Sequence, residues 1–247
     1  MLTDLFLKGR LRHDLDPRER ERIDAAVAET IVLKPRTTLV RSGEWLENSY
    51  YLVSGTMLRY IDAARGKRQI VGLSVVGDFV DLHGYAMKRI DHGISSLDEV
   101  TVARVPHKAI TELVSEMPHL ARVLWFSTLL DAAMHREWIF RLGRLNAEGR
   151  IAQLISELCA RLAFVNKFDG RRLTVPLLQS DYAEACGISL VHANRSFRQL
   201  KDRGLLDTLG DGYIEIRDLP ALNRLSEFKP DYLYGDGNLQ VSALVDG

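Results

Sequence analysis

The side chains best placed for chemistry lie between Gln179 and Leu206, in the run QSDYAEACGISLVHANRSFRQLKDRGLL. Arg195, Arg198 and Lys201 share one helical pattern with His192 and Asn194, and only Asp202 opposes them in charge. Cations gathered on one helix surface neutralise phosphates and release counterions, which is the chemistry of a nucleic-acid groove. No other cluster competes. The seven histidines, at 13, 83, 92, 107, 119, 135 and 192, include no close pair with a carboxylate, as a β-roll metalloenzyme needs. Cys159 and Cys186 each occupy a helical position that suits a small apolar residue, with no Cys or His neighbour at ligand spacing. No catalytic residue and no metal site is expected.

Those cations need a rigid support, and the same run supplies it. A short helical pattern breaks at Gly187 and a longer one ends at Gly204, the grammar of a helix-turn-helix. Gln179 or Ser180 is placed to cap the first helix and Ser189 the second. Asp181 and Glu184 suit the positive end of the first helix, and Ala183 lets the second cross closely over it. Ala193, Phe197 and Leu200 recur at i, i+4 and i+7 and make one buried face, so Leu190, Val191, His192, Asn194, Arg195, Arg198 and Lys201 point outward. Leu205 to Thr208 and Tyr213 to Ile216 flank Gly210-Asp211-Gly212 as a hairpin, and together these elements read as a winged helix-turn-helix.

The chain has 247 residues, enough for two ordinary domains, with 46% hydrophobic and 27% charged residues and a formal net charge of +0. A neutral total means that any attraction for nucleic acid is local to the helix above. No apolar stretch reaches about 18 residues without charge, and the beginning MLTDLFLKGR lacks a signal pattern, so a cytoplasmic protein without a membrane span is expected.

Asp16 to Ala28 reads as a peripheral helix with Pro17 after its cap. From Leu33 the chain breaks into short Thr-, Val- and Tyr-rich pieces with Gly43 and Gly55 at turns. Met57–Asp62 and Arg68–Val75 then form a hairpin, and Ser96–Val105 closes the set, a pattern of the jelly-roll kind. Pro118 opens a helix that runs to Gly143, where Leu120, Val123, Ser127, Leu130 and Met134 form a 3,4 seam. About 25 helical residues span nearly 40 Å, more than one small domain needs, so that seam is expected to join two copies of the chain. Gly143 to Asn146 reads as a joint, and Ala147 to Phe164 as a further helix. The expected fold is α+β: a jelly-roll domain over 1–117, a dimerisation helix and hinge over 118–145, a winged helix-turn-helix domain over 146–233, and a loosely ordered tail over 234–247.

This order of parts resembles the Crp/Fnr family of bacterial transcription regulators, over roughly Ile31 to Leu233. Gly43-Glu44, Ser54-Gly55 and Gly77-Asp78-Phe79 carry the resemblance in the roll. Ala183, Gly187 and the run Val191-His192-Ala193-Asn194-Arg195 carry it in the DNA-binding unit. The resemblance implies a homodimer that binds double-stranded DNA at a two-fold symmetric site, with one recognition helix per subunit in the major groove. It implies contacts from Gln179 and Ser189 as well as from the outward residues, with Arg195 the best candidate for bidentate reading of guanine and Val191 for a thymine methyl. His192 or Arg198 would touch phosphate. RNA polymerase is an expected partner if the protein activates transcription.

The resemblance also places an effector pocket around Phe79, Leu82, His83, Gly84, Arg89, Ser95 and Ser96, with the effector unidentified. Cyclic AMP is not expected there. Members that bind it carry a Glu for the ribose and an Arg-Ser pair for the phosphate, whereas this chain has Leu82 at the first position and no Arg-Ser pair in Arg89 to Ser96. Four Cys ligands for an iron–sulfur cluster are also missing. In a haem-binding member His83 and His92 would be the ligands to consider. The competing readings are a cyclic-nucleotide- or other small-ligand-sensing module whose helical half binds protein, and a jelly-roll metalloenzyme.

Overall fold

The computed structural model describes residues 1–10, 15–63 and 66–235. Most of the tail beyond Tyr234, His13 and the tip of the Met57–Val75 hairpin lie outside the described residues. Helix α1 (Pro17–Ala25) begins as its sequence dictates. The Asp16 carboxylate accepts from the Glu19 amide at 2.7 Å, and the Glu19 side chain accepts from the Asp16 amide at 3.1 Å.

Seven strands then build the roll: β1 (Glu29–Leu33), β2 (Thr38–Val40), β3 (Asn48–Ser54), β4 (Met57–Ala63), β5 (Lys67–Ser74), β6 (Gly93–Ser96) and β7 (Val100–Pro106), with the short helix α2 (His83–Met87) between β5 and β6. They pair antiparallel in two sheets, ordered β1-β7-β3 and β2-β6-β4-β5. The single closing strand expected over Ser96–Val105 is two strands, because the chain changes sheet between Ser96 and Val100. Leu52, Met57, Ile94, Val100 and Val102 are fully or almost fully buried in the roll's core. Gly55 makes the β3–β4 turn possible: its φ is +82°, and a Cβ there would stand 2.5 Å from the Glu99 carbonyl oxygen.

Helix α3 (His107–Glu116) leads into α4 (Pro118–Arg144), which runs through Gly143 without interruption. The joint is therefore narrower than Gly143–Asn146. Only Leu145 and Asn146 leave the helix, and Asn146 caps α5 (Ala147–Phe164) by accepting from the Gly149 amide at 2.9 Å. Ile151, Leu154, Ile155 and Leu158 of α5 are completely buried, so this helix is the axis of the C-terminal half. Around it lie β8 (Arg172–Leu173), α6 (Gln179–Cys186), α7 (Leu190–Asp202), β9 (Leu206–Gly210), β10 (Tyr213–Ile216), α8 (Leu219–Leu225) and a terminal 3-10 turn over Pro230–Leu233.

The two halves share one apolar core. Leu58, Tyr60, Ile70 and Leu73 of β4 and β5 pack in the same cluster as Ile151, Leu158, Tyr182 and Phe197. A buried polar network reinforces the junction. Arg161 of α5 donates to Asp78 of the roll at 2.6 Å, and Glu157 accepts from Trp138 of α4 at 3.3 Å and from Tyr232 at 2.8 Å. A charge removed from water is tolerated only with partners of this kind. Among the described residues no helix is long and apolar enough to cross a membrane.

Candidate nucleic-acid interface

Helix α6 starts one residue earlier than its capping candidates suggest. Leu178 is the cap residue in place of Gln179 or Ser180; it has no side-chain oxygen for the first-turn amides, and its own amide donates to the Asp181 carboxylate at 2.8 Å. Gln179 itself is half-buried in the first turn. Gly187 takes φ +61° and ends α6, its amide donating to Ala183. Ser189 then caps α7, with its hydroxyl accepting from the His192 amide at 3.2 Å.

The two helices lock through their cores. The rings of Tyr182 and Phe197 meet edge to face with centroids 4.9 Å apart, while Ala193 and Leu200 are wholly buried. Ser196 is buried beside them, a position the 3,4 pattern did not mark. Leu190, Val191, His192, Asn194, Arg195, Arg198 and Lys201 are all exposed. Val191 is 67% exposed, an apolar side chain held in solvent at the start of a rigid helix. Among the described residues Arg195 and Arg198 make no ion pair, and Lys201 pairs with Asp207 of β9 at 3.3 Å. Two uncompensated guanidinium groups on one face give the field that the neutral total charge of the chain lacks. Beside them β8, β10 and β9 form a three-stranded antiparallel wing whose tip carries the exposed Leu209 and Tyr213.

The dimer seam expected on α4 is corrected by the structure. Leu120, Val123 and Leu130 belong to the core between α4 and the roll, Met134 is buried, and Ser127 is half-buried. They face inward because the roll needs one side of α4 for its own core. The opposite side carries Trp125, Leu129, Ala132, Arg136 and Ile139 at alternating spacings of four and three, all exposed. Trp125 is 65% and Ile139 71% exposed, a coiled-coil pattern with no partner among the described residues.

The effector residues are dispersed. Phe79 stacks edge to face with Phe6 and Tyr51, Leu82 enters the core under α4, and Gly84 packs on Leu46. Arg89 lies over the Trp45 ring, Ser95 pairs across β2 and β4, and the Ser96 hydroxyl donates to the Lys34 carbonyl at 2.7 Å. His83 opens into a cleft of about 280 Å³ between β4, β5 and α4. Its other polar walls are Arg59, Asp91, His92, Asp131 and His135. The sequence singled out His92 beside His83, but it missed Arg59, Asp91, Asp131 and His135, which come from β4, the approach to β6, and α4. The Arg59 guanidinium is held in a bidentate pair by Asp131. Burial and the nearby Arg59 charge push the His83 ring down to about 4. Among the described residues no three or more His, Cys, Asp or Glu side chains form a group that could hold a metal. Both cysteines are buried, and burial pushes the Cys159 thiol up to about 12 and that of Cys186 to about 11.

Two family patterns match the sequence, a cyclic nucleotide-binding domain over residues 30–117 and a Crp-like helix-turn-helix domain over residues 149–225. The chain is 24% identical over 212 residues to the anaerobic regulatory protein of Pasteurella multocida, covering 86% of this chain and 77% of that protein. It is 25% identical over 213 residues to electron transport regulator A of Shewanella oneidensis, covering 86% and 84%. The structure of FixK2 from Bradyrhizobium japonicum superposes with a TM-score of 0.75 at 23% identity, covering 82% of this chain and 99% of that one, a likeness of fold.

Proposed function

The chain belongs to the Crp/Fnr family of DNA-binding transcription regulators, and from that premise we propose that it acts as a homodimer that places two α7 helices in the major groove of a two-fold symmetric operator. The observation that carries this reading is the outward face of α7, where Arg195 and Arg198 stand exposed without ion-pair partners among the described residues, on a helix capped by Ser189 and pinned by Phe197. Arg195 lies near enough to the start of α7 to read a guanine edge with both terminal nitrogens, and Val191 is placed for a thymine methyl. Arg198, one turn further, suits phosphate. Gln179 and His192 sit where they would fix the helix on the backbone. Lys201, paired with Asp207, is the weakest of the proposed contacts.

The dimer forms, on this proposal, through the exposed α4 strip from Trp125 to Ile139. Two such strips bury apolar side chains that each chain alone leaves in water. Regulation runs through β4 and β5. Arg59, Ile61 and Val71 face the cleft, while Tyr60 and Ile70 pack in the core shared with the DNA-binding unit. Because successive side chains of a strand point to opposite faces, whatever moves the cleft side of this hairpin moves the surface that carries α6. An effector acts there if it binds two placements of the DNA-binding unit with different affinity. Cyclic AMP is not that effector, because the cleft has no free guanidinium for a phosphate. The protein performs no catalysis, works in the cytoplasm, and meets RNA polymerase if it activates.

A gel shift on DNA upstream of its own gene, repeated over a range of salt concentrations, tests the reading. Phosphate contacts impose a steep fall of affinity with salt. Absence of binding, or a flat salt response, would favour a sensing module whose helical half binds protein.

A further inference from the structure

The outer face of α4 carries a charge that its apolar neighbours leave unexplained. Between Arg122 and Gly143 the exposed residues of this helix fall at 122, 125, 129, 132, 136, 139 and 143, stepping by three and four in alternation, with Phe140 the one addition. That is the period at which one side of a helix stays turned toward a coiled partner, and a second copy of this chain presents the same period. Both DNA-binding units follow the C-terminal end of α4 and must reach one DNA, so the two helices run parallel. Each layer of the seam then sets a residue against its own copy.

One layer does not suit an apolar seam. Trp125, Leu129 and Ile139 are large and apolar, Ala132 and Gly143 are small, and Arg136 among them is charged. Among the described residues Arg136 makes no ion pair and no hydrogen bond. The residues one turn from it on its own helix are Ala132, Ala133, Ile139 and Phe140, and none is acidic. The acids nearest in sequence are committed to the inner side of α4. Asp131 holds Arg59 in a bidentate pair, and half-buried Glu137 lies in the field of Glu157 and Arg141. The seam positions on either side of the charge are His135 and Phe140, so a second copy brings no acid to it either.

Resting on the reading of this strip as the dimer surface, we propose that the two Arg136 side chains meet across the two-fold axis as a charged layer that limits how tightly the chain pairs with itself, and that a multivalent oxyanion shared between them relieves it. Like charges set opposite one another are disfavoured, the more so between layers that exclude water. A guanidinium offers its donors in a planar fork that matches an oxyanion bidentately, so sulfate or phosphate neutralises the layer where chloride only screens it. The layer also governs partner choice. A chain with an acid at this place pairs with this one more tightly than either pairs with itself.

Sedimentation equilibrium of the full chain in the absence of DNA is the test, and because Arg136 is exposed its variants leave the fold intact. Arg136→Leu should tighten the dimer by about tenfold or more. Sodium sulfate at the ionic strength of a sodium chloride control should tighten the wild-type dimer more than it tightens the Arg136→Leu dimer, which reports the general effect of sulfate on apolar burial. Arg136→Glu repels itself as the wild type does, but a mixture of the two should give mixed dimers well in excess of random assortment, counted by native mass spectrometry. Random assortment, an Arg136→Leu dimer no tighter than wild type, or an equal response of the two to sulfate would overturn the proposal. Leu129→Asp keeps the two readings apart. A dimer that survives it refutes the strip, whereas a dimer that it dissolves while the Arg136 variants change nothing refutes the charged layer alone.

Discussion

Arg36, in the turn between β1 and β2, sets its two terminal nitrogens 2.7 Å from the two carboxylate oxygens of Asp181 in the first turn of α6. Asp181 is also the acid that accepts from the Leu178 amide, so one carboxylate both starts the first helix of the DNA-binding unit and fastens it to the roll. Gln69 of β5 adds a second tie by donating to the Glu184 carbonyl. The sensory and DNA-binding halves thus meet through named polar contacts on top of their shared core.

Arg36→Ala should loosen that docking without unfolding either half. Because Arg36 is nearly half exposed, the coupling measured in a double-mutant cycle with Asp181→Asn is expected to be about 1 kcal/mol. Hydrogen exchange of the α6 amides should speed up in the Arg36 variant. Unchanged exchange and zero coupling would mean that the apolar core alone holds the halves together.

The two faces of α4 give opposite expectations for one kind of substitution. Leu129→Asp, on the exposed strip, should yield monomers in sedimentation with a folded chain. Met134→Asp puts a carboxylate into a buried site and should destabilise the fold by about 2–5 kcal/mol. A tight dimer in the Leu129 variant would place the interface elsewhere.

Cys159 and Cys186 should resist thiol reagents in the native protein at neutral pH, because both are buried and their thiols titrate far above it. Labelling should begin only in denaturant. Rapid labelling of either residue in the folded chain would contradict the packing of α5 and α6.

How much of this was legible in the sequence depended on the range of the interactions. The winged helix-turn-helix was readable because its signals are local: Gly187, the Ser189 cap, and the spacing of Ala193, Phe197 and Leu200 all act within a few residues. The length of α4 was legible and its orientation was not. Its 3,4 seam and its exposed 4,3 strip are both mostly apolar, each with one polar member, Ser127 and Arg136, and only the roll decides which side is buried. The cleft was out of reach for the same reason. His83, His92 and His135 are brought together by strand pairing and by the docking of α4, neither of which spacing reports.

Cyclic AMP should give no heat in calorimetry with the purified chain. Its phosphate would lie in a cleft where Arg59 already serves Asp131 and the Asp91 carboxylate stands by, and an unpaired buried phosphate is disfavoured by several kcal/mol, on the order of other unpaired buried charges. Micromolar binding coupled to tighter DNA binding would contradict this account of the cleft.

The central claim is that α7 reads DNA, and binding-site selection with wild type, Arg195→Ala and Arg198→Ala tests it most directly. The wild-type motif should show two half-sites about one helical turn, roughly 10 base pairs, apart. Arg195→Ala should lose about 1–3 kcal/mol and relax one base pair in each half-site. Arg198→Ala should keep the motif, weaken binding to all sequences, and flatten the salt slope by about one unit. If the Arg195 variant instead selects the wild-type motif at unchanged affinity, α7 does not read DNA as proposed.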